Sequence, residues 1–479
     1  MSATGETELA AEKTTDAQAE REAQANANRR QRFGQGFLDT IATNWAERPE
    51  ATPPPREQAA FAALRRDRVS AAFPGKRVVV PAGGVAVRSN DTDYPFRAHS
   101  AFAHLTGWER DAEPDAVLVF EPTAGGHDAV LYFRERADRT TAEFYADAAI
   151  GEFWIGPRPA LAGVAADLAL STSHIDGFEA SDDDLVVGED EELTRFVSEL
   201  RLVKDDFEIE QMRLAVQVTA DGFDDIIRSL PRIIEHPRGE RVVEGVFHLR
   251  ARTDGNWEGY DTIAASGPHA CYLHWTRNDG PVVAGDLMLV DAGVEVDSLY
   301  TADITRTLPV SGRFTDVQRR IYEAVREASD AAFRAARPGA RFREVHEAAM
   351  AVIATRLAEW GLLPVTADEA LAPETGGQHR RYMVHGTSHH LGIDVHDCAQ
   401  ARREMYYDGV LEAGMVFTIE PGLYFQIDDV TVPEEYRGIG VRIEDDILMT
   451  VEGPINLSAN VPRSADEVEE WMARLAPHA

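Results

Sequence analysis

Four apolar runs of strand length each contain an acidic residue amid apolar or β-branched neighbours. DLMLVDAG holds Asp291, ADITRTLPV holds Asp303, GMVFTIEPG holds Glu420 and GVRIEDDILMT holds Glu444. A carboxylate among apolar and β-branched neighbours is costly to bury without a partner. One such residue reads most simply as a hydrogen-bonded group at a strand end. Four of them, arranged as two strand pairs, constrain the fold further, because two β-hairpins brought together place all four in one pocket. Four carboxylates carry a charge that two divalent cations match. With a single imidazole added, the site is hard and oxygen-rich, suited to Mn²⁺, Co²⁺ or Zn²⁺ rather than to a thiolate-loving ion. Two metals roughly 3.5–4 Å apart can activate water and polarise a carbonyl, which is the apparatus of metal-assisted hydrolysis.

The imidazole could come from MVHGTSHHLGIDVHD, where His385, His389, His390 and His396 fall close together. Other chemical signals can be set aside. His346-Glu347 begins like the zincin HExxH, but position 350 is Met, so an ordinary helix is expected. No G-x-S-x-G elbow occurs, and Gly438-Ile439-Gly440 is too short for a dinucleotide fingerprint. The only cysteines, Cys271 and Cys398, can build neither a disulfide framework nor a four-cysteine zinc site, which fits a reducing cytoplasm.

At 479 residues the chain exceeds the size at which one core keeps growing, so two domains are expected. Residues 1–30, almost without large apolar side chains, read as a mobile polar tail. KRVVVPAG, DAVLVFEP and AVLYFRER read as strands, the last two flanking a hairpin-like turn at TAGGHD. After the acidic ASDDDLVVGEDEE, the stretch SELRLVKDDFEIEQMRLAVQVTADGFDDII repeats apolar residues at helical spacing. The boundary is placed there, giving domains at 31–200 and 201–479. Further helical patterns at FTDVQRRIYEAVREASDAAFRAARPG and REVHEAAMAVIATRLAEWG alternate with the strand pairs, which indicates an α+β domain. With 82 acidic against 48 basic residues, a formal charge of −34 repels nucleic acid. No signal-like segment or 18-residue apolar run occurs, so neither secretion nor a membrane is expected.

DAGVEVDSLYTADITRTLPV, VHGTSHHLGIDVHD, TIEPGLY and GVRIEDD, in that order, resemble the binuclear metallopeptidases of the pita-bread fold, specifically aminopeptidase P and its relative prolidase. CYLHWTRND is similar to the family's substrate-binding histidine segment, and YPFRAHSAFAHLTGW to the N-terminal domain of aminopeptidase P, prolidase and creatinase. The likeness implies a C-terminal pita-bread catalytic domain behind a smaller creatinase-type α/β domain. It implies two divalent metals, Mn²⁺ foremost with Co²⁺ or Zn²⁺ possible. Asp291 would bind one metal, His389 and Glu420 the other, and Asp303 and Glu444 would bridge them. Glu420 would also shuttle a proton, His274, His385 and His396 would handle substrate, and Arg442, on the same strand face as Glu444, would orient carboxylates.

Two departures stand out. The family usually spaces its two aspartates by eleven positions, whereas Asp291 and Asp303 are twelve apart. The extra residue is expected in the loop within VEVDSLY, since inside a strand it would turn Asp303 to the opposite face. His390 stands where relatives usually carry an aromatic ring, and is expected to point into packing. The activity implied is that of an Xaa-Pro aminopeptidase acting on peptides with penultimate proline, in a homo-oligomer. Prolidase is the nearest alternative, which VHGTSHH and PRSADEVEEWM disfavour, and a metal-free, non-hydrolytic binding homologue is the other.

Overall fold

Three consecutive valines in KRVVVPAG favour extended backbone, since branching at Cβ restricts helical rotamers. They form strand β1 (Val78–Pro81) in the computed structural model, which describes residues 33–48, 52–90 and 92–476. The expected mobile tail at 1–30 lies outside the described residues. The chain divides into two compact units, one ending at Val187 and the next beginning at Gly188.

In the first unit, β1 pairs antiparallel with β2 (Val117–Thr123), which turns through Ala124-Gly125 into β3 (Gly126–Phe133). Strands β4 (Ser171–His174) and β5 (Leu185–Val186) add in parallel at the two edges, giving the order β4-β3-β2-β1-β5. The segment similar to aminopeptidase N-terminal domains supplies a buried helix, Ser100–Thr106, closed by Gly107 at φ +70°. A left-handed residue after a helix is normally glycine. Trp108 follows at once and meets Phe133 edge to face at 5.0 Å in the core.

In the second unit, the helical pattern expected to run through residues 198–227 is two helices, α1 (Glu191–Glu199) and α2 (Asp206–Arg228). Asp205 caps α2 reciprocally with Glu208. The intervening residues leave the helix because Arg201 and Lys204 turn inward to the buried carboxylate of Asp397 at 2.9 and 3.1 Å. Helix α2 packs on α3 (Gly239–Asp254), and α4 (Asp316–Ala335) on α5 (Arg343–Glu359). No helix among the described residues is long and apolar enough to cross a membrane.

Between these helices lie the acid-bearing strands. One sheet has the order β8-β7-β6, from β6 (Ile263–Ser266), β7 (Leu287–Ala292) and β8 (Ile304–Pro309). The other two runs do not form single strands. GMVFTIEPG and its continuation divide into β9 (Val416–Ile419) and β10 (Gly422–Phe425), while GVRIEDDILMT divides into β11 (Ile439–Arg442) and β12 (Asp445–Thr450). Strand β9 pairs with β12, and β10 with β11, in separate sheets. Pro421 explains half of the break, since it has no N–H to donate to a ladder. The rest comes from competing acceptors: Glu420 N–H donates to Thr387 O at 2.8 Å and Glu444 N–H to Thr305 O at 3.1 Å.

Candidate metal centre

The first acid pair is set by register. Strand β7 opposes β8 with Asp291 facing Thr305, and the same register reaches the Glu295–Thr301 bridge beyond the strand ends. The ladder therefore absorbs no extra residue. The longer aspartate spacing is accommodated in the turn at 296–300, where Leu299 adopts φ +68°, and Asp303 keeps to the face of Asp291. Gly293 allows the close approach between them, since a Cβ there would lie 1.7 Å from the carbonyl oxygen of Ala302. Tyr260 Oη stands 2.7 Å from Asp291 Oδ1 and 2.5 Å from Asp303 Oδ1. One hydroxyl proton cannot serve two carboxylates at once, so the pair needs further positive charge or a proton.

The second acid pair sits at the strand breaks. The register that pairs Ile419 with Asp445 and Gly422 with Arg442 sets Glu420 opposite Glu444. Thr305 Oγ1 donates to Glu444 Oε2 at 2.7 Å, tying this hairpin to the first. Arg442 ends β11 rather than sharing an unbroken strand with Glu444, yet it turns to the same centre. Its Nη2 lies 2.5 Å from Asp291 Oδ2, its Nε donates to Thr305 Oγ1 at 3.1 Å and its Nη1 to Tyr424 Oη at 3.1 Å.

The histidine-rich loop completes the wall, held alongside β9 by Thr418 N–H donating to His389 O at 2.9 Å. His389 Nε2 lies 3.3 Å from Asp303 Oδ2 and 3.6 Å from Glu420 Oε1. His385 Nδ1 is 2.6 Å from Gly386 O, and its Nε2 is 2.8 Å from Tyr424 Oη. His396 meets the His389 ring edge to face at 4.5 Å. His274 is exposed, and its charge bears on both His385 and His396. His390 packs between Phe342 at 4.5 Å and Tyr406 at 4.6 Å, away from the acids. His346, on the ordinary helix α5, has Nδ1 3.3 Å from the backbone nitrogen of Thr387.

Electrostatics show what the cluster lacks. Burial, then the surrounding carboxylates, push the Glu444 carboxyl far up. Burial raises Asp291 despite Arg442, and raises Glu420 to about 7 despite His389 and Arg442. Burial opposes a charge on His389, but hydrogen bonding to Asp303 and attraction to Glu420 outweigh it and hold the ring up at about 9. Beside these stands Asp446, which accepts from Asp303 N–H at 3.2 Å, is also pushed up by burial, and leaves Oδ1 without a partner. Too many carboxylates share one guanidinium. Oxygen donors with one imidazole and no thiolate suit divalent cations of the harder kind, and one ligand atom each from Asp303, His389 and Glu444 lie within 4.8 Å of one another. Asp291 and Glu420 adjoin that trio through Tyr260 and His389.

Sequence reasoning passed over Tyr260, Thr305, Tyr424 and Asp446. Tyr424 and Asp446 lie inside motifs already singled out, and Asp446 follows Glu444 at strand period. Tyr260, in NWEGYDTI, carries no pattern that marks it.

A buried carboxylate cluster on two hairpins, closed by one imidazole, defines a metal-dependent hydrolase. Residues 210–451 match metallopeptidase family M24 and residues 62–189 match the aminopeptidase P N-terminal domain. The chain is 51% identical over 466 residues to Xaa-Pro aminopeptidase 1 of Streptomyces coelicolor, covering 92% of this chain and 93% of that one. It superposes on the Pseudomonas aeruginosa aminopeptidase PepP with a TM-score of 0.75 at 30% identity, covering 88% of this chain and all of the other. A zinc-substituted Escherichia coli aminopeptidase P in complex with product gives a TM-score of 0.74 at 31% identity, covering 88% and 99%. The chain belongs to metallopeptidase family M24, and it carries the pita-bread catalytic domain behind an aminopeptidase P N-terminal domain.

Proposed function

We propose that this chain is an Xaa-Pro aminopeptidase, releasing the N-terminal residue from peptides whose second residue is proline. The observation that carries the reading is the convergence of Asp291, Asp303, His389, Glu420 and Glu444 on one centre in a chain 51% identical to a named Xaa-Pro aminopeptidase. In this reading Asp291 would hold one cation, His389 and Glu420 would hold the second, and Asp303 and Glu444 would serve both. Two bound cations supply an activated water and polarise the scissile carbonyl. Mn²⁺ is the proposed ion, with Co²⁺ or Zn²⁺ as substitutes, the latter supported by the zinc-substituted relative.

The protein's own groups then divide the remaining work. Glu420 would take a proton from water on a carboxylate oxygen and pass it to the departing proline nitrogen. Burial, then the Arg442 charge, lowers His385 to about 3, so its ring is neutral. With Nδ1–H donating to Gly386 O, Nε2 accepts from Tyr424, whose oxygen accepts from Arg442. That relay fixes His385, and with His274 and His396 it offers the substrate oriented imidazoles.

The catalytic part is assigned to residues 201–479 and the supporting domain to 31–200. A homo-oligomer is carried from the family likeness, and two buried free cysteines support a cytoplasmic location. Hydrolysis of a proline tripeptide and of the matching Xaa-Pro dipeptide, after chelation and return of Mn²⁺, Co²⁺ or Zn²⁺, tests the assignment. Tripeptide cleavage is expected; cleavage of the dipeptide alone would make the protein a prolidase.

A further inference from the structure

His274 belongs to a second feature that the hydrolytic reading leaves unused. It lines a pocket of about 600 Å³ with Pro268, His269, Tyr272, Trp275 and Arg277. The rings form a ladder. His269 stacks on Trp275 at 3.9 Å and 25°, and Tyr272 on Trp275 at 5.7 Å and 29°. Such a surface is stiff only if something beneath it fixes the rings, and Glu240 does so. Its carboxylate, wholly buried, lies 2.7 Å from His269 Nδ1 and accepts from Trp275 Nε1 at 3.0 Å, with the backbone N–H groups of Ser266 and Gly280 at 2.8 and 2.7 Å. Tyr272 leaves 47% of its surface to solvent.

The outer end of the ladder is cationic. Arg277 lays its guanidinium over Trp275 at 4.5 Å, and no carboxylate among the described residues pairs with it. Stacking occupies the face of a guanidinium and leaves its N–H edges free for a bidentate carboxylate.

We propose that this pocket is a subsite for the peptide beyond the proline. An apolar or aromatic side chain lies on Tyr272 and Trp275, and a carboxylate, either the peptide's C-terminus or an acidic side chain, pairs with Arg277. His274 lines this pocket and also acts electrostatically on His385 and His396. The inference rests on the Xaa-Pro aminopeptidase reading and adds a preference for short, carboxylate-bearing peptides with a planar residue after proline.

Steady-state kinetics on Ala-Pro-Phe, its C-terminal amide, and Ala-Pro-Phe-Glu amide separate the possibilities, with the wild-type enzyme, Arg277→Gln, Arg277→Lys and Tyr272→Ala. Loss of one charge-assisted contact is expected to raise KM about tenfold in Arg277→Gln for peptides with a carboxylate, and far less for the plain amide. Arg277→Lys is expected to recover part of the loss, and kcat to change less than KM. Sensitivity of Ala-Pro-Phe alone identifies the C-terminus as the partner; sensitivity of the glutamyl amide as well identifies any carboxylate there. Tyr272→Ala should raise KM for Ala-Pro-Phe more than for Ala-Pro-Gly. Equal KM changes for acid and amide, or none, would overturn the subsite while the enzyme still cleaves every peptide. Failure of the wild-type protein to cleave any of them overturns the aminopeptidase reading instead.

Discussion

Glu420 and Glu444 occupy facing positions of one hairpin at the point where its ladder breaks on both strands. Freed from each other, their backbones bond outward, Glu420 to the histidine loop and Glu444 to β8. The break is thus what brings four segments to one centre. It also forces like charges together in a buried place, and the cluster responds by holding protons.

Metal loading is therefore expected to displace protons. In the metal-free site the ring of His389 is held up at about 9, Glu420 is raised to about 7, and burial with the surrounding carboxylates pushes Glu444 far up, so each favours its protonated form more than a free side chain does. Raised values mean bound protons below them, and a divalent cation competes for the same atoms. Calorimetric titration of the chelated protein with Mn²⁺ in buffers of different ionisation enthalpy should show net release of at least one proton per chain. Heats independent of the buffer would contradict this description of the site.

Tyr260 holds the aspartate pair from outside the ligand set, 2.7 and 2.5 Å from the two carboxylates. Tyr260→Phe removes that tie and leaves the ring in place. Partners of this kind typically matter by about 10- to 100-fold in metal affinity, so a loss near the lower figure is expected for Mn²⁺. The change in folding stability should stay close to about 1 kcal/mol. Competition with a fluorescent chelator measures the first quantity and thermal denaturation the second.

Asp397 anchors the far end of the histidine loop against Arg201 and Lys204, all three buried. Burial alone would raise its pKa, but Lys204 and Arg201 outweigh it and hold the carboxyl well below the usual range. A depressed pKa stabilises the fold above the unfolded value of about 4 and ceases to do so as pH falls through the folded value. The wild-type melting temperature should accordingly fall as the medium is acidified below about pH 4. Asp397→Asn, which strands two buried cations, should cost about 3 kcal/mol at neutral pH and flatten that acid limb.

Much of this centre is legible in the sequence because an acid inside an apolar, β-branched run is a local signal. Asp291, Asp303, Glu420 and Glu444 stand out that way, and the structure brings them together with His389. What is not legible depends on distant acceptors. The strand breaks follow from Thr387 O and Thr305 O, and the interruption before α2 follows from Asp397, which lies far along the chain from Lys204. The sequence pattern puts Arg442 and Glu444 on one continuous strand; in the structure they converge from either side of a break. Tyr260 escapes notice because a phenol beside two carboxylates has no periodicity.

The most direct measurement is metal content against activity. Chelated protein is reloaded with Mn²⁺ in fractions of an equivalent, and bound metal and tripeptide hydrolysis are followed together, with Asp303→Asn and Glu420→Ala alongside. Two equivalents per chain are expected, with hydrolysis appearing as they bind, reduced loading in Asp303→Asn, and activity lower by at least about 100-fold in Glu420→Ala. Full hydrolysis in the chelated protein, or no binding at all by the unaltered chain, would contradict a metal centre built from these carboxylates and His389.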